Sequence, residues 1–209
     1  IAHGASTRIC HTIEAIELMS LLILASGSPR RREMLTQMGV EFTVQVPDID
    51  ESRRPDELAE DYVTRLAREK ARAVAAMQTD KTIAILAADT IVVQGERIFG
   101  KPRDFAHAQQ IWHNLSAAKH QVMTAVCLLV HDRLNVKLGL TEVEFATITE
   151  RQMQAYWASN EPQDKAGAYA IQGLASAWVK VIHGSYSNVV GLPLREVNEL
   201  LSTIEMNWL

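Results

Sequence analysis

The 209 residues contain only two cysteines, Cys10 and Cys127, which match neither a disulfide framework nor a zinc ligand set. So little cysteine fits a reducing compartment, and a cytoplasmic location is expected. Long apolar runs are missing: none approaches the ~20 residues of a membrane span, so no membrane partner is expected. A strong charge of either sign is missing too. The net charge of −4 argues against a nucleic-acid polymer as partner and confines any basic surface to a local patch. The seven histidines are scattered with no two-histidine metal motif, and no Gly-x-Ser-x-Gly elbow occurs. Internal repeats and low-complexity linkers are absent as well.

What is present is ordinary for a globular protein. Apolar residues make up 47% and charged residues 22%, and the length allows a substantial core in one large domain or two small ones. Residues 1–18 stand apart. They lack the unbroken apolar stretch and small-residue cleavage site of a signal peptide, and Met19 directly precedes the first convincing strand. They are expected to be a non-native or disordered extension ahead of a single domain spanning 19–209. Cys10-His11 with His3 reads as a frayed terminus rather than a metal site.

The chain is organised around residues 21–32, Leu-Leu-Ile-Leu-Ala-Ser-Gly-Ser-Pro-Arg-Arg-Arg. The apolar half predicts a strand buried on both faces. Ser26-Gly27-Ser28 turns the chain, Ser28 suits a helix N-cap, and Pro29 suits the first helical position. Arg30 and Arg31 then fall in the first turn, at the positive end of the helix dipole, where acids are favoured. Cations placed there invite an anion. Backbone N–H groups, two hydroxyls and an arginine fork compose a phosphate site, against the alternative of a solvated basic turn.

Met34, Leu35 and Met38 give the helix a buried stripe, with Gly39 as its stop. Residues 41–46 alternate as a strand with one wet face, and residues 47–55 form an acidic loop containing Glu51. Pro55 is expected to start a helix reaching about Met77, with Lys70 close to its apolar stripe. A lysine there either snorkels or carries charge into a cleft. Residues 82–93 are the most apolar segment, a central strand interrupted by Asp89-Thr90. An acid there is either a structural group satisfied at a bulge or a paired functional one. The rarity of unpaired acids in core strands favours the second. A helix capped by Asp104, a long hairpin about residues 131–133 and a helix capped by Thr149 follow. Residues 160–176 are irregular, residues 177–183 a strand, residues 184–191 a loop, and Pro193 opens a last helix. Strands and helices alternate before the hairpin, which predicts an α/β fold around a mixed sheet.

Two motif lookalikes fail. Gly95-Glu-Arg-Ile-Phe-Gly100-Lys101-Pro102 lacks the final Ser or Thr of a P-loop and does not run directly into a helix. Asp48-Ile-Asp50-Glu-Ser52 resembles an aspartyl-phosphate motif but follows a half-polar strand and Pro47. What remains is a dispersed set: the cations Arg30, Arg31, Lys70 and Lys101, and the acids Glu51 and Asp89. Phosphoryl chemistry uses this mixture, cations for phosphate oxygens and carboxylates for a divalent metal and a water.

Together with Ala25-Ser-Gly-Ser-Pro-Arg-Arg31, the motifs Arg65-Leu-Ala-Arg-Glu-Lys-Ala71, Ala88-Asp-Thr90 and Lys101-Pro102 resemble the Maf family. So do Glu161-Pro-x-Asp-Lys-Ala-Gly-Ala-Tyr169, Ile171-Gln-Gly173 and Gly184-Ser-Tyr…Val190-Gly-Leu-Pro193. The resemblance implies a cytoplasmic nucleoside triphosphate pyrophosphatase that uses a divalent metal, Mg or Mn. It implies an elongated α/β sheet like that of inosine-triphosphate pyrophosphatases, with the active-site cleft between two lobes. By position it makes Asp89 the general base and Glu51 a metal or water ligand, with Glu51 and Asp89 as the candidate metal ligands. Ser26, Arg30, Lys70 and Lys101 become triphosphate contacts. Arg31, Thr90 and Gln172 become the residues that select dTTP and UTP, and the Gln172 amide offers a donor and an acceptor to a pyrimidine edge. Ser116-Ala117 and Asn160 stand where the family commonly has glycine. A second copy of the chain is a candidate partner. The competing expectation is a non-catalytic, nucleotide-binding regulator of septum formation.

Overall fold

The structure is a computed structural model that describes residues 21–204; the expected extension at 1–18 lies outside them. The opening apolar run forms β1 (Leu22–Ala25), and Ser26–Gly27–Ser28 turns the chain into α1 (Pro29–Gln37). A two-residue β2 (Thr43–Val44) pairs parallel with one edge of β1. The helix α2 (Ala59–Ala75) leads to β3 (Ala84–Gln94), which lies parallel on the other edge. β4 (Arg97–Phe99) folds back on β3, and α3 (Phe105–Leu115) precedes the long hairpin of β5 (Lys119–Val130) and β6 (Arg133–Phe145). α4 (Glu150–Ala158), β7 (Val179–His183), α5 (Tyr186–Val190) and α6 (Leu194–Leu201) follow. The strand order is β2-β1-β3-β5-β6-β7, with β4 beside β3, so the expected mixed sheet is parallel at one end and antiparallel at the other. No helix among the described residues is long and apolar enough to cross a membrane.

Alternation sorts the β3 side chains onto two cores. Ala84, Leu86, Ala88 and Val92 join the core shared with α1, α3 and α6, whereas Ile85, Ala87, Ile91 and Val93 join the core under α2. The same parity sends Asp89 toward α2 and Thr90 toward α1. On α2, Val63, Leu66, Ala67, Ala71 and Val74 are buried against the sheet, and Lys70 shares that stripe. Two neighbouring residues of one strand thereby serve opposite faces.

Several boundaries differ from expectation for identifiable reasons. α2 begins at Ala59 rather than Pro55. Glu57 accepts from the Arg54 backbone and receives the Arg65 guanidinium, which holds residues 53–57 in a loop with Asp56 at φ 56°. β2 shortens to two paired residues at the sheet edge, with Val44 exposed. Residues 174–178 form a 3-10 turn, so β7 starts at Val179. The loop at 184–191 contains α5, which Ser185 caps and Gly191 ends in the left-handed region at φ 118°. The P-loop lookalike is a β3–β4 hairpin turning at Gly95-Glu96. Ala117 and Asn160, where the resemblance leads one to expect glycine, both sit at positive φ, 52° and 61°.

Candidate active site

Lys70 Nζ lies 2.5 Å from Asp89 Oδ1 and 2.7 Å from Glu51 Oε1. Lys70 and Asp89 are buried, and Glu51 reaches them from its loop with its side chain half exposed. The lysine therefore carries charge into the cleft rather than snorkelling. Burial pushes the Asp89 carboxyl above the ordinary carboxylate range, against the opposing pull of Lys70 and Arg31. Burial also opposes ionisation of Glu51, yet its bond to Lys70 and the nearby Lys101 and Arg31 charges leave its pKa below normal. One carboxyl pushed up beside another held down is the arrangement a proton acceptor and an electrostatic partner require.

The Glu51 loop is tied to α2. Tyr62 donates from its hydroxyl to the Glu51 carbonyl at 2.8 Å, and Arg65 Nη2 donates to the Ser52 carbonyl at 3.0 Å. Arg65 also holds the Glu57 carboxyl well below its usual range, at about 2. Asp50 is spent on an exposed turn, accepting from the Ser52 N–H, which removes it from the chemistry its lookalike motif suggested.

At the start of α1, Ser28 occupies the N-cap but makes no side-chain capping bond. Ser26 Oγ instead accepts from the Ser28 N–H and from Arg31 Nη1. The two arginines reach the C-terminal end of α5: Arg30 Nε donates to Val190 O at 3.4 Å and Arg31 Nε to Gly191 O at 2.8 Å. The cations at one helix's positive end are thus partly balanced by the carbonyls at another's negative end. Arg31 Nη2 also donates to Thr90 Oγ1 at 3.0 Å, and Thr90 meets Thr124 at the same distance. Arg31 and Thr90 therefore act as one unit.

The opposite wall comes from residues 164–172, anchored where Trp112 Nε1 donates to Ala168 O at 2.8 Å. Gln172 is exposed there, and its amide has no protein partner among the described residues. Lys165 faces the same space; burial and the Arg30 charge lower its pKa. Behind this wall the buried His120 ring places Nε2 2.8 Å from the Tyr169 hydroxyl, and burial holds the ring's pKa down to about 4 from 6.5. Folding therefore favours the neutral ring. That contribution is complete above the unfolded pKa and is lost as pH falls through about 4. His120→Gln is expected to flatten the acid loss of Tm between pH 7 and pH 4, a loss on the order of 2–3 kcal/mol from this residue. Equal acid sensitivity in the two proteins would contradict the assignment.

Every residue singled out from the sequence lines one cleft of about 1080 Å³: Ser26, Arg30, Arg31, Glu51, Lys70, Asp89, Thr90, Lys101 and Gln172. Lys165, Tyr62 and Arg65 were missed. Lys165 lies in an irregular stretch with no periodicity to read, and Arg65 stands in a matching motif with no role given to it.

The family model described as Maf-like protein matches residues 21–204. A dTTP/UTP pyrophosphatase of Escherichia coli is 53% identical over 184 residues, covering 88% of this chain and 93% of the relative. The Hahella chejuensis protein of the same name is 51% identical over 181 residues, 86% and 90% of the two chains. That of Vibrio cholerae is 48% identical over 183 residues, 88% and 97%. A solved nucleoside-triphosphatase, a dITP/XTP pyrophosphatase from Mycobacterium abscessus, aligns at 15% identity and TM-score 0.41 over 88% of this chain and 94% of its own. The opening turn, the buried acid after Ala88 and the Gln172 motif all fall inside the matched span, and the chain belongs to the Maf family.

Proposed function

We propose that this protein hydrolyses dTTP and UTP to the nucleoside monophosphate and pyrophosphate in the cytoplasm, with Asp89 accepting a proton from the attacking water. One observation carries the reading: a single cleft joins two acids gathered on Lys70 to three cations that have no carboxylate at ion-pair distance among the described residues. Asp89 and Glu51 share the single ammonium of Lys70 at one point. Among the described residues, Arg30, Lys101 and Lys165 line the same cleft without a carboxylate at ion-pair distance. Those three cations and the N-terminus of α1 suit the triphosphate tail. The acidic point then falls at the α-phosphorus, where water attacks and pyrophosphate departs.

The donor set fits a divalent cation shared with substrate. Lys70 takes one oxygen each from Asp89 and Glu51, so each keeps a second. No cluster of three or more His, Cys, Asp or Glu suited to a metal exists among the described residues, and Mg²⁺ or Mn²⁺ is commonly held by one or two carboxylates plus phosphate oxygens. When bound, such an ion neutralises phosphate charge. Arg31, Thr90 and Gln172 read the base. Apolar contacts distinguish one methyl group by only ~1–3 kcal/mol, so accepting both thymine and uracil is physically natural. The name shared by relatives about half identical to this chain supports the same substrates.

Product analysis tests the reading with a panel of pyrimidine and purine triphosphates in Mg²⁺ and in Mn²⁺. The expected products are UMP or dTMP with pyrophosphate, and pyrimidines are preferred. Release of inorganic phosphate as the first product would overturn it. Nucleotide binding without turnover would make the protein a regulator.

A further inference from the structure

The Gln172 side chain has no hydrogen bond of its own among the described residues, so its orientation depends on the backbone that carries it. That backbone is bracketed. The Ala170 N–H donates to the Tyr156 hydroxyl oxygen at 3.0 Å, Tyr156 donates to Glu161 Oε1 at 2.7 Å, and the Leu174 N–H donates to Glu161 Oε2 at 3.1 Å. A Gly173 N–H to Ala170 carbonyl bond of 3.1 Å closes the turn between them. Ile171, buried in the main core, fixes the same turn from the other side.

The carboxylate also lies against Gly173. A Cβ built there would overlap both Glu161 oxygens, so the demand for glycine comes from the acid's approach; φ is −109°, outside the left-handed region. Tyr156 is itself buried, and burial together with its bond to Glu161 raises its pKa, so the hydroxyl stays a donor. The chain from Ala170 N–H through Tyr156 to the carboxylate has one consistent donor direction.

We propose that Tyr156 and Glu161 are positioning residues that clamp the 170–174 turn and so set how Gln172 meets the pyrimidine base. This rests on the base-reading role given to Gln172 above. Neither residue lines the cleft, and neither touches Asp89, Glu51 or Lys70. Their loss should therefore act on base recognition and leave the chemical step alone. Glutamine at 161 keeps the volume but offers one acceptor oxygen where two donors converge.

The test is steady-state kinetics on UTP and on a purine triphosphate for Glu161→Gln, Tyr156→Phe, Gln172→Ala and the Glu161→Gln/Gln172→Ala double variant. Glu161→Gln and Tyr156→Phe should each raise KM for UTP by about tenfold, the scale of one lost hydrogen bond, with kcat little changed. Their purine kcat/KM should hold, so pyrimidine preference falls. The double variant should be no worse than Gln172→Ala alone. Tyr156→Phe removes only a hydroxyl, so it carries the test should the Glu161 variant fail to fold. Loss of kcat on all substrates alike would make the clamp merely structural and overturn the proposal. So would a full Gln172→Ala effect with none from either clamp variant. If Gln172→Ala itself leaves base preference intact, the base-reading role is what fails, and the clamp loses its function with it.

Discussion

Asp89→Asn is expected to give a folded protein whose turnover has dropped by ~10²–10⁴-fold, the usual cost of losing a general base. Asparagine is nearly isosteric, so the wall made by Ile85, Ala87 and Ile91 on the same strand face is undisturbed. The charge lost is not left unbalanced elsewhere, because Lys70 keeps Glu51 at 2.7 Å. Tm should therefore change little. Nucleotide affinity should persist or tighten, since a carboxylate beside a triphosphate repels it in the ground state. Pyrophosphate release measures the first effect and titration calorimetry the second. Near wild-type turnover from soluble, folded Asp89→Asn would remove Asp89 from the mechanism and leave Glu51 as the candidate base.

Asp89 was legible in the sequence because an acid inside an apolar run has no inexpensive explanation. Lys70 was legible through periodicity, which places it on the buried stripe of α2. The α1 arginines were legible as cations at the wrong end of a dipole. Their partners were not: Arg30 and Arg31 bond to carbonyls 160 residues away, a contact no local pattern encodes. The same limit hid Lys165. Its segment is shaped by Trp112 and by a Gly167 N–H to Gly100 carbonyl bond, both distant in sequence. Pro55 looked like a helix start, and a network centred on Glu57 and Arg65 moved that start four residues on. Strand and helix order survived because it follows from hydrophobic period, whereas boundaries and cleft walls depend on long-range bonds.

Lys70→Met should damage stability as well as activity. Methionine replaces the stem within the α2 stripe but removes the ammonium that Asp89 faces at 2.5 Å. Removing one partner of a buried pair typically costs ~3–5 kcal/mol, because the other charge stays behind. The Arg31 charge still acts on Asp89, yet three of its five N–H groups already donate to Gly191, Ser26 and Thr90 and none donates to the Asp89 carboxyl. Burial then pushes the Asp89 pKa, already raised, further up until the carboxyl takes a proton. A group whose folded pKa lies above its unfolded value contributes stability at low pH and loses it as pH rises through the folded pKa. The Tm deficit of Lys70→Met relative to wild type should therefore widen with rising pH, and its residual turnover should shift to higher pH. Adding Asp89→Asn should recover most of the lost Tm, since a neutral amide needs no ammonium, while turnover falls further. Thermal melts of the two single variants and the double across pH 5 to 9 decide it. A Lys70→Met protein that melts like wild type, or that Asp89→Asn fails to rescue, would show that the ion pair is not what this part of the sheet depends on.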